Sequence, residues 1–116
     1  MIDQQKFEPF FESVAAARRF VAEALGDAPY ADDVVLVTSE LATNVVLHAR
    51  TNFAVKVIVD DRVRLEVSDG SSIVPAVEEL AESQRGLRLV EAASEEWGIE
   101  PTESGKMVWV EFPSRE

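Results

Sequence analysis

The chain has 116 residues, 47% of them apolar, and a formal net charge of −11 from 22 acids against 11 bases. This length and composition predict one domain over residues 1–116 around a single core. The acidic balance opposes non-specific attraction to nucleic acid or an anionic membrane. No apolar run reaches the ~18 residues of a membrane span, and the lack of cysteine excludes disulfides and thiolate metal sites.

The first residues, MIDQQKFEPF, have neither the basic start nor the long apolar stretch of a secretory signal, so the cytoplasm is the expected location. Residues 1–12 read as an extended segment whose Phe7, Phe10 and Phe11 pack on the body. Ser13 is the expected N-cap of a helix over 14–25, with an apolar face of Val14, Ala17, Phe20, Val21, Ala24 and Leu25. Gly26 ends it, where a left-handed residue is favoured.

Residues 32–49, DDVVLVTSELATNVVLHA, read as one long helix. Asp32 and Asp33 suit its N-cap and first turn, and Arg50 suits its carbonyl end. Apolar residues fall on nearly every side, which predicts a largely buried helix. Against them Glu40, Asn44 and His48 recur at i, i+4 and i+8 and form one polar stripe. A buried carboxylate and amide need partners. Either the protein itself supplies them, or a ligand does, since Glu and Asn oxygens suit a hard cation and the waters around a phosphate. His48 by itself reads as a structural histidine, and a single histidine excludes a multi-histidine metal site.

Residues 54–60 and 62–69 alternate apolar and polar and predict an antiparallel pair turned at Asp60-Asp61. One face is apolar and the other largely charged, so helices should cover one side of the sheet. Residues 69–75, DGSSIVP, then read as a loop at the strand's carboxyl end, marked by a glycine, two serines and a proline. Asp69 reads either as a carboxylate capping its own turn or as the acceptor of a ligand amino group, with Gly70 allowing close approach. Residues 76–83 are acidic and suit one or two helical turns. Arg85-Gly86 opens a helix over 87–97, where exposed amides could meet a phosphate or Gly86 could simply make the turn. A short strand over 97–101, a turn at Gly105-Lys106 and a strand over 106–112 complete the chain; Lys106 could reach a phosphate but reads rather as an exposed strand-edge charge, and Trp97 and Trp109 read as core or interface residues. There is no Walker-type loop, dinucleotide fingerprint or nucleophile motif.

In this order the segments resemble a known family. SELATNVVLHA resembles the N-box of the GHKL (histidine-kinase-like) ATPase superfamily, VSDGS its first glycine box, RGLRLV its second, and GKMVWVEF its final strand. The small bacterial anti-sigma-factor serine/threonine kinases are the most similar branch. The resemblance implies an α/β two-layer sandwich of the α+β kind: a mixed, mostly antiparallel sheet with helices on one face. It implies ATP and Mg²⁺ as ligands, with Asn44 holding the metal and Glu40 activating an attacking hydroxyl one helical turn away. It places Asp69 on the adenine amino group, Gly70 and Ser71 beside it, His48 further along the binding face, and Arg85, Gly86 and Leu87 around the phosphates. It implies an anti-anti-sigma factor or a sigma factor as partner, no direct contact with nucleic acid or membrane, and a homodimer. Ser71 and Ile73 stand where the family's D-x-G-x-G box has glycines, and Gln84 precedes Arg85-Gly86 in place of a second glycine. The alternative reading is therefore a nucleotide-independent module that sequesters a sigma factor or an antagonist without catalysis.

Overall fold

The computed structural model describes residues 1–72 and 90–113. Five strands form one sheet: β1 (Ile2–Phe7), β2 (Phe53–Val59), β3 (Val63–Asp69), β4 (Glu96–Pro101) and β5 (Lys106–Glu111), in the order β1-β2-β3-β5-β4. All four pairings are antiparallel, so the described sheet lacks the parallel component that a mixed sheet would have. Two helices, α1 (Phe11–Leu25) and α2 (Ala31–Asn44), pack on each other, with α1 against β1 and β2 and α2 against β3. The result is the expected two-layer α+β sandwich.

Period-two alternation decides which face the helices cover. Val55 and Val57 on β2, Leu65 and Val67 on β3 and Val110 on β5 point one way and are buried. From α1, Ala17, Val21 and Leu25 meet them, spaced four residues apart along one side. From α2 come Val34, Val37, Leu41 and Ala42, followed by Val45. Phe7 adds an aromatic contact at the end of β1, stacked on Phe53 at 5.3 Å and edge-on to Phe20 at 6.2 Å.

The opposite face carries Arg64, Glu66, Trp109 and Glu111. Arg64 pairs with Glu66 at 2.9 Å and Glu111 at 3.1 Å, and its guanidinium lies 4.8 Å from the Trp109 ring centre. Partial burial tends to lower the Arg64 pKa, but the two carboxylates outweigh it and hold the pKa above its ordinary value. Trp109 lies against Gly98 on β4: a Cβ there would come within 2.8 Å of its indole. Trp97 instead faces the helices and packs on the core.

Several expectations from sequence are corrected. The helix α1 starts at Phe11, and its N-cap is Phe10 rather than Ser13; Phe10 and Phe11 are exposed. The helix α2 starts at Ala31, after Tyr30 in the left-handed region at φ 62°, and not at Asp32. Its last segment, Val45–Ala49, winds as a π-helix, with the Arg50 amide donating to Val45 O at 2.8 Å. The helix is also not buried all round: Leu36 and Leu47 are exposed, because the sheet and α1 cover only one side of it. Arg50 does meet the helix end, its Nε donating to Leu47 O at 3.3 Å. The helix expected over 87–97 is helical at 90–93 but gives way to β4 at Glu96, where pairing with β5 overrides local helix propensity. The segment over 76–83 lies outside the described residues. Gly26 does close α1, at φ 54°, its amide donating to Ala22 O. The β2–β3 hairpin turns over Asp60, Asp61 and Arg62, with the Asp60 amide donating to Arg62 O.

Candidate functional site

The period-two register that builds the core also places one carboxylate among it. Val63, Leu65 and Val67 of β3 face the helices, so Asp69, two residues further on, faces them too. Directly across the strand pair, Lys106 opens β5. It belongs to the same face as Val108, Val110 and Phe112. Lys106 is therefore buried rather than an exposed edge charge: Asp69 is 7% exposed and Lys106 6%. Lys106 Nζ lies 3.0 Å from Asp69 Oδ1. Two charges removed from water are tolerable only when paired this closely.

The backbone around Asp69 is fixed as well. The Ser71 amide donates to Asp69 Oδ1 at 2.9 Å, which folds the loop back on its own carboxylate. The Gly70 amide donates to Thr51 Oγ1 at 2.8 Å, tying the loop to the end of the central helical segment. Gly105 crosses so near that a Cβ would stand 2.0 Å from Asp69 O and 2.8 Å from the Gly70 Cα. Only glycine can occupy that crossing. Gly70 itself is exposed, and a Cβ there would sit in ordinary contact with Thr51 at 3.5 Å and Ser104 O at 3.7 Å.

Glu40 and Asn44 lie one turn apart on α2 and are both half-buried. The packing of α2 on β3 brings that helix over the strand that ends in Asp69. His48 lies in the π segment and is exposed, whereas Glu40 and Asn44 are half-buried. Arg85, Gly86 and Leu87 lie outside the described residues. An open groove of about 590 Å³ runs past Phe7, Phe10, Asn52, Asp69 and Ser104, and neither Glu40 nor Asn44 lines it.

The donor set suits one type of metal. Among the described residues no three His, Cys, Asp or Glu side chains cluster as a metal cage would require. An amide oxygen such as that of Asn44 is a hard donor that suits Mg²⁺, which keeps several waters and takes most of its remaining ligands from phosphate. In their chemistry, the buried Asp69 carboxylate, the exposed Gly70 and the Glu40–Asn44 pair fit a magnesium nucleotide.

Thr51, Gly105 and Lys106 were not among the site residues expected from sequence. Lys106 was legible: it continues the alternation of Val108, Val110 and Phe112 backwards by one step. Gly105 and Thr51 become visible only once the strands are paired and the loops meet.

A buried carboxylate at a strand end and a half-buried polar pair on the covering helix stand in a two-layer α+β fold. The family model for the histidine kinase-like ATPase domain matches residues 7–112, and the chain belongs to that family. No curated protein matches the chain. Among solved structures, the RsbU and RsbW domains of Rv1364c from Mycobacterium tuberculosis share its fold, with a TM-score of 0.73 and 20% identity over 99% of this chain. The chain spans 34% of the length of that protein. No helix among the described residues is long and apolar enough to cross a membrane.

Proposed function

We propose that this domain binds ATP with Mg²⁺ and transfers its terminal phosphoryl group to a serine or threonine of a protein partner, as a regulator of the anti-sigma type. The observation that carries this reading is the Glu40–Asn44 pair on one half-buried face of the helix that packs on the Asp69 strand. Family membership supports the nucleotide. The resemblance to anti-sigma-factor kinases supports the partner class, an anti-anti-sigma factor or a sigma factor.

In this reading Asp69 accepts a hydrogen bond from the adenine amino group, and Gly70 lets the base lie close. Asn44 holds Mg²⁺ through its amide oxygen, and the bound ion neutralises phosphate charge. Glu40, one turn away, takes the proton of the attacking hydroxyl as its oxygen bonds to the γ-phosphorus and the bond to the β–γ bridging oxygen breaks. Helix geometry alone sets the spacing between metal holder and base.

Calorimetric titration with ATP and ADP, with and without Mg²⁺, tests the binding step. Mg²⁺-dependent binding that Asn44→Ala abolishes is expected. Incubation with ATP, Mg²⁺ and an anti-anti-sigma partner then tests transfer; nucleotide binding without phosphate appearing on the partner would remove the kinase assignment. The second reading, a binding module without catalysis, is favoured by one observation: Lys106 already neutralises Asp69. It predicts no nucleotide binding at millimolar concentration and unchanged partner affinity in Glu40→Gln.

A further inference from the structure

The Asp69–Lys106 pair can do more than balance charge. Both side chains are more than nine-tenths buried, on opposed positions of neighbouring strands. Phe53 stands beside Asp69 on β2 and Pro101 beside Lys106 on β4, so apolar neighbours flank the pair and leave its field weakly screened. An ammonium carries three N–H donors. Among the described residues, Asp69 Oδ1 is the acceptor that Lys106 Nζ meets. That same oxygen also receives the Ser71 amide, which directs a further donor to Oδ2. The pair therefore presents an acceptor and a charged donor side by side.

Building on the nucleotide reading given above, we propose that Lys106 is a second base-reading residue. It donates to ring nitrogen N1 of adenine while Asp69 accepts from the amino group at C6. Adenine's edge places a donor next to an acceptor, the complement of this pair. Guanine in the same seat reverses both positions, setting its O6 against the carboxylate and its N1–H against the ammonium. Each mismatch sets acceptor against acceptor or donor against donor beside a buried charge, and sites built on such groups discriminate far more sharply than apolar pockets do. Lys106 thus makes the site selective for adenine, where Asp69 alone would read only the amino group.

The test is calorimetric titration of the whole chain with ATP, GTP and 1-deaza-ATP, in which a C–H replaces N1. The unaltered protein is expected to bind 1-deaza-ATP at least about tenfold more weakly than ATP, and GTP more weakly still. Lys106→Met, if circular dichroism shows it folded, is expected to bind ATP and 1-deaza-ATP within about twofold of each other. Equal binding of ATP and 1-deaza-ATP by the unaltered protein, or retained discrimination in Lys106→Met, overturns the role of Lys106 and leaves the nucleotide reading intact. No ATP binding by the folded, unaltered protein overturns both. The comparison in the unaltered protein decides the matter whether or not the variant folds.

Discussion

Asp69 and the Glu40–Asn44 pair are held in place by different means. Asp69 is fixed from several sides: by Lys106 across the strand pair, by the Ser71 amide within its own loop, and by Gly105 pressed against its backbone. Thr51 anchors the following Gly70 amide. Glu40 and Asn44 instead owe their relation to the rise and turn of one helix, and their side chains are half-buried. The difference teaches where rigidity is built. The Asp69 end is set by contacts between strands and loops, while the relation of Glu40 to Asn44 is set by the geometry of α2. Stability measurements on the two regions should therefore diverge.

The largest effect is expected at Lys106. Lys106→Met leaves the Asp69 carboxylate buried without its counter-charge, and a loss of about 3–5 kcal/mol in urea denaturation is expected. Asp69→Asn with Lys106→Met removes both charges together, and the double variant should recover most of that loss. If the single and double variants are equally destabilised, the pair is not the unit that holds this end.

Gly105→Ala should come next. Its methyl group would meet the Asp69 and Gly70 backbone, which cannot swing aside, and a loss of roughly 3 kcal/mol is expected. Gly98→Ala sharpens the point. There the obstacle is the Trp109 ring at 2.8 Å, a side chain on the open face that can shift, so a loss of about 1–2 kcal/mol is expected. A larger loss at Gly98 than at Gly105 would reverse the ranking of the two faces. Thr51→Val removes a hydroxyl acceptor from a solvent-accessible amide, which water can replace. About 1 kcal/mol or less is expected, read as a small shift in the same denaturation midpoint.

The same contrast explains what the sequence showed and what it hid. The strands β2 and β3 were legible because Val55, Val57, Leu65 and Val67 alternate with polar residues, and alternation is a local property. The buried stripe of α1 was legible for the same reason. Glu40 and Asn44 stood out because polar residues four apart on a helix share a face whatever surrounds them. The limits of α2 were hidden: the Asp32-Asp33 pair looks like a cap, yet Tyr30 makes the turn, and nothing in Val45-Val46-Leu47 announces a π winding. The start of β4 was hidden because Glu95, Glu96 and Trp97 continue a helical pattern that only pairing with β5 overrules. Asp69 could be marked as a candidate, but its engagement by Lys106 depends on a register between residues 37 apart in the chain.

Glu40→Gln is expected to change stability least, and for that reason it separates structure from chemistry most cleanly. Glu40 is half-buried, and no shift from its role in packing accompanies an isosteric amide, so the denaturation midpoint should stay within about 0.5 kcal/mol of the unaltered protein. Nucleotide affinity should also persist, because the binding contacts proposed above belong to Asn44 and Asp69. Phosphoryl transfer to the partner should fall by about 10²–10⁴, the usual worth of a positioned general base. A variant that binds ATP, folds normally and still transfers phosphate at the original rate would show that the α2 spacing serves the metal alone. The proton acceptor would then have to lie elsewhere in the site.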